Sequence, residues 1–174
     1  MEFLEVTVDG LALDMTTNSP VVILSPAGLN KVLPIWIGHA EAWGIAMELS
    51  GVKPKRPMTY DLLKSMLASV NATIERIEVT ELKEQTFYAR IHLVRDGEKH
   101  EIDARPSDSI AMALKTGAKI YVNEELFNLD AAAEAPEGEG GEASPEVPPM
   151  GTDPESLRER LKKINPEDFG NYSL

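Results

Sequence analysis

Asp96-Gly97 restricts the fold of this chain more than any other pair of residues. An Asp-Gly step between two runs of alternating polarity reads as a two-residue hairpin, because both central residues of the favoured turn take positive φ and few side chains tolerate it. Such a turn also sets the register. Residues whose numbers sum to 193 face each other, so Ile91 meets Ile102 and Ala89 meets Ala104 on one side of the ribbon. The other side pairs Tyr88 with Arg105, Arg90 with Asp103, and His92 with Glu101, a charge-complementary ladder of the kind that supports cross-strand neighbours.

Strands are expected around this hairpin over 73–82, 86–95 and 98–104. Upstream, short β-branched runs at 3–8, 11–15, 20–25 and 32–37, broken by Gly, Pro and Asn, read as a meander. Apolar Ala42, Ile45, Ala46 and Leu49 share one helical face and stop at Gly51. Thr59 is the expected N-cap of a second helix with the stripe Leu62, Leu63, Met66, Leu67 and Val70, and Ser107 that of a third over Asp108–Thr116, closed by Gly117. A last strand is expected at Ile120–Val122. The fold class that follows is α+β: a single compact domain with a mixed β-sheet and about three packed helices. The spacing Ile37, Ile45-Ala46-Met47, Leu49 returns as Ile102, Ile110-Ala111-Met112, Leu114, which points to an internal βα duplication.

Composition marks where the domain stops. Residues 131–150 hold five Glu, three Gly and four Pro with no Lys or Arg, so the reading is a domain over 1–130, a disordered acidic linker over 131–151 and a short helical tail over 152–174. In the tail Leu157, Leu161 and Ile164 recur at helical spacing after Thr152-Asp153-Pro154-Glu155. The net charge of -12 divides evenly, with 13 basic and 19 acidic side chains in 1–130 and 4 and 10 beyond. The total argues against binding nucleic acid mainly through a broad basic field, but the tail supplies half of it, so the folded part is less hostile to phosphate than the total suggests. The absence of cysteine excludes disulfides, thiolate metal sites and cysteine nucleophiles. The first five residues hold two acids, the first basic side chain is Lys31, and the longest aliphatic run is Val21–Leu24, so a leader peptide and a membrane span are not expected and a cytoplasmic location is. Phe3, Leu4, Trp36 and Trp43, large apolar residues near element ends, point to a homodimer or higher homo-oligomer.

Four acids sit at positions suited to phosphodiester chemistry. Glu41, Asp61 and Asp108 each fall in or beside a first helical turn, where dipole complementation alone explains an acid, and Asp103 ends the hairpin strand beside Arg105. Hard divalent cations take carboxylate oxygens and activate water, so convergence of Asp61, Asp103 and Asp108 would make a metal site for Mg or Mn. Lys53-Pro54-Lys55-Arg56-Pro57 is the densest basic segment and leads into a helix start. His39, His92 and His100 have no metal-ligand spacing, and only His39, in the turn before a helix, suits a proton carrier. No phosphate-cradling glycine loop or hydrolase triad order occurs, and no organic cofactor is expected.

Four ordered segments then make a pattern: Leu33-Pro34-Ile35-Trp36-Ile37-Gly38 with Glu41-Ala42; Arg56-Pro57-Met58-Thr59-Tyr60-Asp61-Leu62-Leu63; Phe87-Tyr88-Ala89-Arg90; and Asp103-Ala104-Arg105-Pro106-Ser107-Asp108 with Ile110-Ala111. Together they resemble the bifunctional nuclease domain family. The resemblance implies an α+β domain, often oligomeric, with DNase and RNase activity in some plant members. The expected function is a metal-assisted nuclease of low sequence specificity acting on DNA or RNA. Asp61, Asp103 and Asp108 are then the catalytic metal ligands, Glu41 supports them, and Arg56, Arg105, Arg90 and Lys55 hold phosphate. The pattern departs at Tyr60, where the family has histidine; a phenol keeps a hydrogen bond but is not a base near neutral pH. The alternative is a non-catalytic oligomeric adaptor in which the same polar residues form a structural network.

Overall fold

The computed structural model describes residues 2–128. The linker and tail expected beyond residue 130 lie outside them. Seven strands and three helices follow in the order β1 (Phe3–Asp14), β2 (Ser19–Pro26), β3 (Leu33–Trp36), α1 (His39–Ser50), α2 (Thr59–Ser69), β4 (Ala72–Lys83), β5 (Thr86–Arg95), β6 (Glu98–Ala104), α3 (Pro106–Thr116) and β7 (Lys119–Asn123), and a 3-10 turn closes the domain at Glu124–Asn128. The strands form one mixed sheet in the order β3-β2-β1-β7-β4-β5-β6. All neighbours are antiparallel except β4 and β7.

Two three-strand meanders, each followed by a helix, flank β7. β1–β2–β3–α1 and β4–β5–β6–α3 repeat one order of elements, which is where the echoed Ile-Ala-Met spacing falls. The hairpin register at Asp96-Gly97 is the expected one, with Ala89 opposite Ala104, Ile91 opposite Ile102 and Arg90 opposite Asp103. Both turn residues have positive φ, 50° and 83°. Three local expectations are corrected. The runs 3–8 and 11–15 are a single strand, carried through Asp9-Gly10 by a bulge rather than a turn. Met58, not Thr59, is the N-cap of α2, and Arg105, not Ser107, is that of α3.

Register divides the sheet into two chemically different faces. Val6, Ile120, Ile77 and Ile91 form one cross-strand row, with Val122, Val79, Ala89 and Ala104 beside it. This face carries α1 and α3, whose Ala42, Ile45, Ile110, Ala111 and Ala113 complete the core. The opposite face holds Glu5, Lys119, Tyr121, Arg76, Glu78, Arg90, His92, Glu101 and Asp103. Such alternation is what a sheet covered on one side requires. α3 is the most buried helix, whereas α2 buries no residue completely. The aromatic residues expected at an interface, Phe3, Trp36 and Trp43, are half-buried, and so is Leu4. Exposed apolar surface gathers on α2 instead.

Candidate active site

Pro106 decides the start of α3. A proline at the first helical position cannot donate a backbone hydrogen bond and keeps the preceding residue extended, so Arg105 sits at φ -67°, ψ 145° as the N-cap. From there its guanidinium reaches forward one turn, and Nε donates to Asp108 Oδ2 at 2.8 Å. Its Nη2 donates to Glu41 Oε1 at 2.6 Å, in the first turn of α1. At the other ends of the same two helices, Lys115 of α3 pairs with Glu48 of α1. The two helices therefore lie side by side with one polarity, joined by an arginine at their starts and a lysine at their ends.

α2 crosses both junctions. Tyr60 donates its hydroxyl to Asp108 Oδ1 at 3.0 Å, so Asp108 accepts from a phenol and a guanidinium at once. The Tyr60 ring lies against Gly44, where an added β-carbon would come within 2.7 Å of the ring edge. Burial first, and then the Asp108 bond, raise the Tyr60 pKa well above that of an ordinary phenol. Asp61 belongs to the second junction. It accepts from Lys115 Nζ at 2.8 Å and from the Met58 N–H at 3.0 Å, and these two partners hold its carboxyl below the usual range. Burial works against the Lys115 charge, but Asp61 and Glu48 outweigh it and raise its pKa. Between α1 and the start of α2 a cavity of about 70 Å³ opens, walled by Trp43, Met47, Val52, Pro54 and Met58, with Asp61 and Lys115 at its polar end.

The expected site residues thus fall into four places. Glu41, Arg105 and Asp108 share one cluster, and Asp61 stands in the adjoining one. Arg90 and Asp103 lie on the polar face of the sheet, away from the helices. There Arg90 bonds Glu101 at 3.3 Å rather than Asp103, and His92 Nε2 lies 2.8 Å from Glu78 Oε2. Asp103 is exposed and does not share a site with Asp61 and Asp108, because the strand's alternation turns it to the other side. Among the described residues, no three His, Asp or Glu side chains gather closely enough to hold a metal ion. Lys55 and Arg56 are exposed on the loop ahead of α2, and His39 is exposed at the first residue of α1. Lys115, Glu48 and Gly44 were not foreseen; their partners lie far away in sequence and no local spacing marks them.

The model of the bifunctional nuclease domain matches residues 21–134. The chain belongs to that family. The match takes in both helix junctions, the Arg105–Asp108 segment and Tyr60. An uncharacterized protein of Mycobacterium tuberculosis is 37% identical over 165 residues, covering 95% of this chain and 97% of its own length. Bifunctional nuclease 1 of Oryza sativa subsp. japonica is 24% identical over 116 residues, and Bifunctional nuclease 2 of Arabidopsis thaliana 26% over 116. Each plant match covers 65% of this chain and 35% of the plant protein. No helix among the described residues is long and apolar enough to cross a membrane.

Proposed function

We propose that this bifunctional nuclease domain cleaves single-stranded DNA and RNA with low sequence specificity, at the junction where α1, α2 and α3 begin. The observation that carries the reading is Arg105, 66% exposed yet fixed by two carboxylates. A guanidinium has five N–H donors, and Glu41 and Asp108 take two of them. The remaining three are free for phosphate oxygens, in a plane that is already oriented. Such preorganisation is how a fixed charge favours a transition state in which negative charge grows on phosphate. Lys55 and Arg56 extend the path for a phosphodiester backbone. Contacts of this kind read no bases, which fits a nuclease that accepts both sugars. The plant relatives' names point the same way.

Tyr60 serves as a hydrogen-bond donor that holds Asp108, not as a base. Glu41 and Asp108 are bound to Arg105, and Asp61 to Lys115, so they do not form a ready metal centre. A divalent ion would have to displace a protein cation. Cleavage of single-stranded DNA and RNA by the full chain, with magnesium, with manganese and with a chelator, tests both parts. Cleavage abolished by the chelator would establish a metal requirement. No cleavage under any of the three conditions would end the catalytic reading.

One observation favours the adaptor reading. Every carboxylate of the two junctions is satisfied by protein donors, without any ligand. Inactive protein whose thermal stability drops sharply on loss of Arg105 or Lys115 would support it.

A further inference from the structure

α2 exposes an apolar stripe that the domain leaves uncovered. Leu62 is 54% exposed, Leu63 41%, Met66 56% and Val70 47%. At 3.6 residues per turn these four fall within about 100° of arc, a single face of the helix. Scattered apolar residues are ordinary on a surface, but one continuous face of a helix marks an interface. The loop just ahead of it presents Lys53, Lys55 and Arg56, all exposed and without an ion-pair partner among the described residues. Among the described residues, the surface is therefore an apolar stripe with three unpaired cations at one end.

We infer that the occupant is the chain's own C-terminal segment, residues 131–174. Its sequence complements both parts of the surface. Leu157, Leu161 and Ile164 recur at helical spacing, and 131–150 supplies five Glu with no basic residue. The whole of 131–174 carries 10 acids against 4 bases. The reach is adequate: roughly 30 residues separate Asn128 from Leu157, and a flexible chain of that length spans roughly 30 Å on average, comparable to the width of a domain this size. A second copy of α2 fits less well, because it would cover the apolar stripe but offer the cations no acid: Asp61, the acid of α2, is already paired with Lys115. The segment also accompanies the domain: the mycobacterial relative matches 165 residues of this chain, well past the family match that stops at 134. Docked there, the acidic stretch lies over Lys53–Arg56 and competes with phosphate for that edge. This regulatory consequence rests on the nuclease reading; the docking itself does not.

The chain has no cysteine, which makes site-directed cross-linking clean. Full-length protein carrying Met66→Cys and Leu161→Cys is treated at high dilution with a short bismaleimide. A control pair, Glu101→Cys with Leu161→Cys, places the first thiol on the opposite face of the sheet. Both first positions are exposed, so neither substitution threatens folding. The expected result is an intrachain cross-link in the 66/161 protein at least tenfold more efficient than in the 101/161 protein. Equal cross-linking of the two pairs would overturn the proposal, because it describes an undocked tail. Cross-linking between two chains would overturn it in favour of a second copy. Adding Leu157→Asp should abolish the 66/161 preference and, separately, tighten binding of single-stranded DNA severalfold. Loss of the preference without a change in DNA binding would leave the docking standing and remove its regulatory role.

Discussion

Tyr60 and Asp108 stand 48 positions apart and are joined by a 3.0 Å hydrogen bond from phenol to carboxylate. Arg105 occupies the other carboxylate oxygen. Tyr60→Phe therefore removes one charge-assisted bond while Asp108 keeps its cation. The expected loss is about 1–2 kcal/mol of stability, measured by urea unfolding. A change of a few tenths would mean that the bond adds nothing in solution.

Gly44 is coupled to the same ring. Alanine is favoured over glycine inside a helix by about 1 kcal/mol, but a β-carbon 2.7 Å from the Tyr60 ring forces the ring to move. Overpacking of this kind costs about 1–3 kcal/mol, so Gly44→Ala should destabilise the protein. In a Tyr60→Ala background the clash is gone and the same substitution should stabilise. A double-mutant cycle reads the reversal, and additive effects would contradict the packing described here.

The first of these contacts spans α2 and α3, the second α1 and α2, and neither could be read from local pattern. The hairpin could, because a two-residue turn leaves one register and Asp96-Gly97 admits few other conformations. The same parity argument, carried across the sheet, is what separates Asp103 from Asp61 and Asp108. Helix starts were harder. Thr59 and Ser107 are favoured cap residues by type, yet the caps are Met58 and Arg105, set by the Asp61 carboxylate reaching back to the Met58 N–H and by Pro106. The grouping of Glu41, Arg105 and Asp108 depends on α1 and α3 lying side by side, a packing fact. Tyr60 stood out in sequence as a lost histidine, whereas its position shows a donor to Asp108.

Acid should loosen the domain through Asp14 and Asp61. Burial disfavours the Asp14 charge, but donors from Trp36 Nε1 at 3.0 Å and Thr16 N–H at 2.9 Å outweigh it and hold the pKa below the ordinary 3.8. Asp61 is lowered by Lys115 and then by the Met58 N–H. A carboxyl with a depressed folded pKa contributes stability that is full above its unfolded value and is lost as pH falls through the folded one. Stability should therefore hold above about pH 4.5 and decline below the unfolded carboxylate range. Asp14→Asn should flatten part of that decline, measured by urea unfolding against pH. An unchanged acid limb would remove Asp14 from the account.

Asp103 gives a contrasting expectation. It is exposed on the polar face, and its side chain has no hydrogen bond or ion pair among the described residues. Asp103→Ala should change stability by no more than about 0.5 kcal/mol and leave cleavage within about twofold. Strong loss of activity would return Asp103 to the site.

Phosphate binding by Lys55, Arg56 and Arg105 should appear in the salt dependence. Each phosphate contact to a single strand contributes about -0.7 to the slope of log K against log salt. Replacing any one of the three by alanine should reduce the slope by about that amount, read from fluorescence anisotropy of labelled single-stranded DNA. A slope unchanged in all three variants would place the nucleic acid elsewhere.

Arg105 carries the central claim, and the most direct test compares cleavage by the wild-type chain and by Arg105→Ala on single-stranded DNA and RNA. Unfolding of each variant is followed in parallel. Loss of a preorganised phosphate donor should lower the rate by about 10²–10³-fold while the exposed position keeps the protein folded. Arg105→Ala that cleaves as fast as wild type, or a wild-type chain that cleaves neither substrate with magnesium or manganese, would contradict the account.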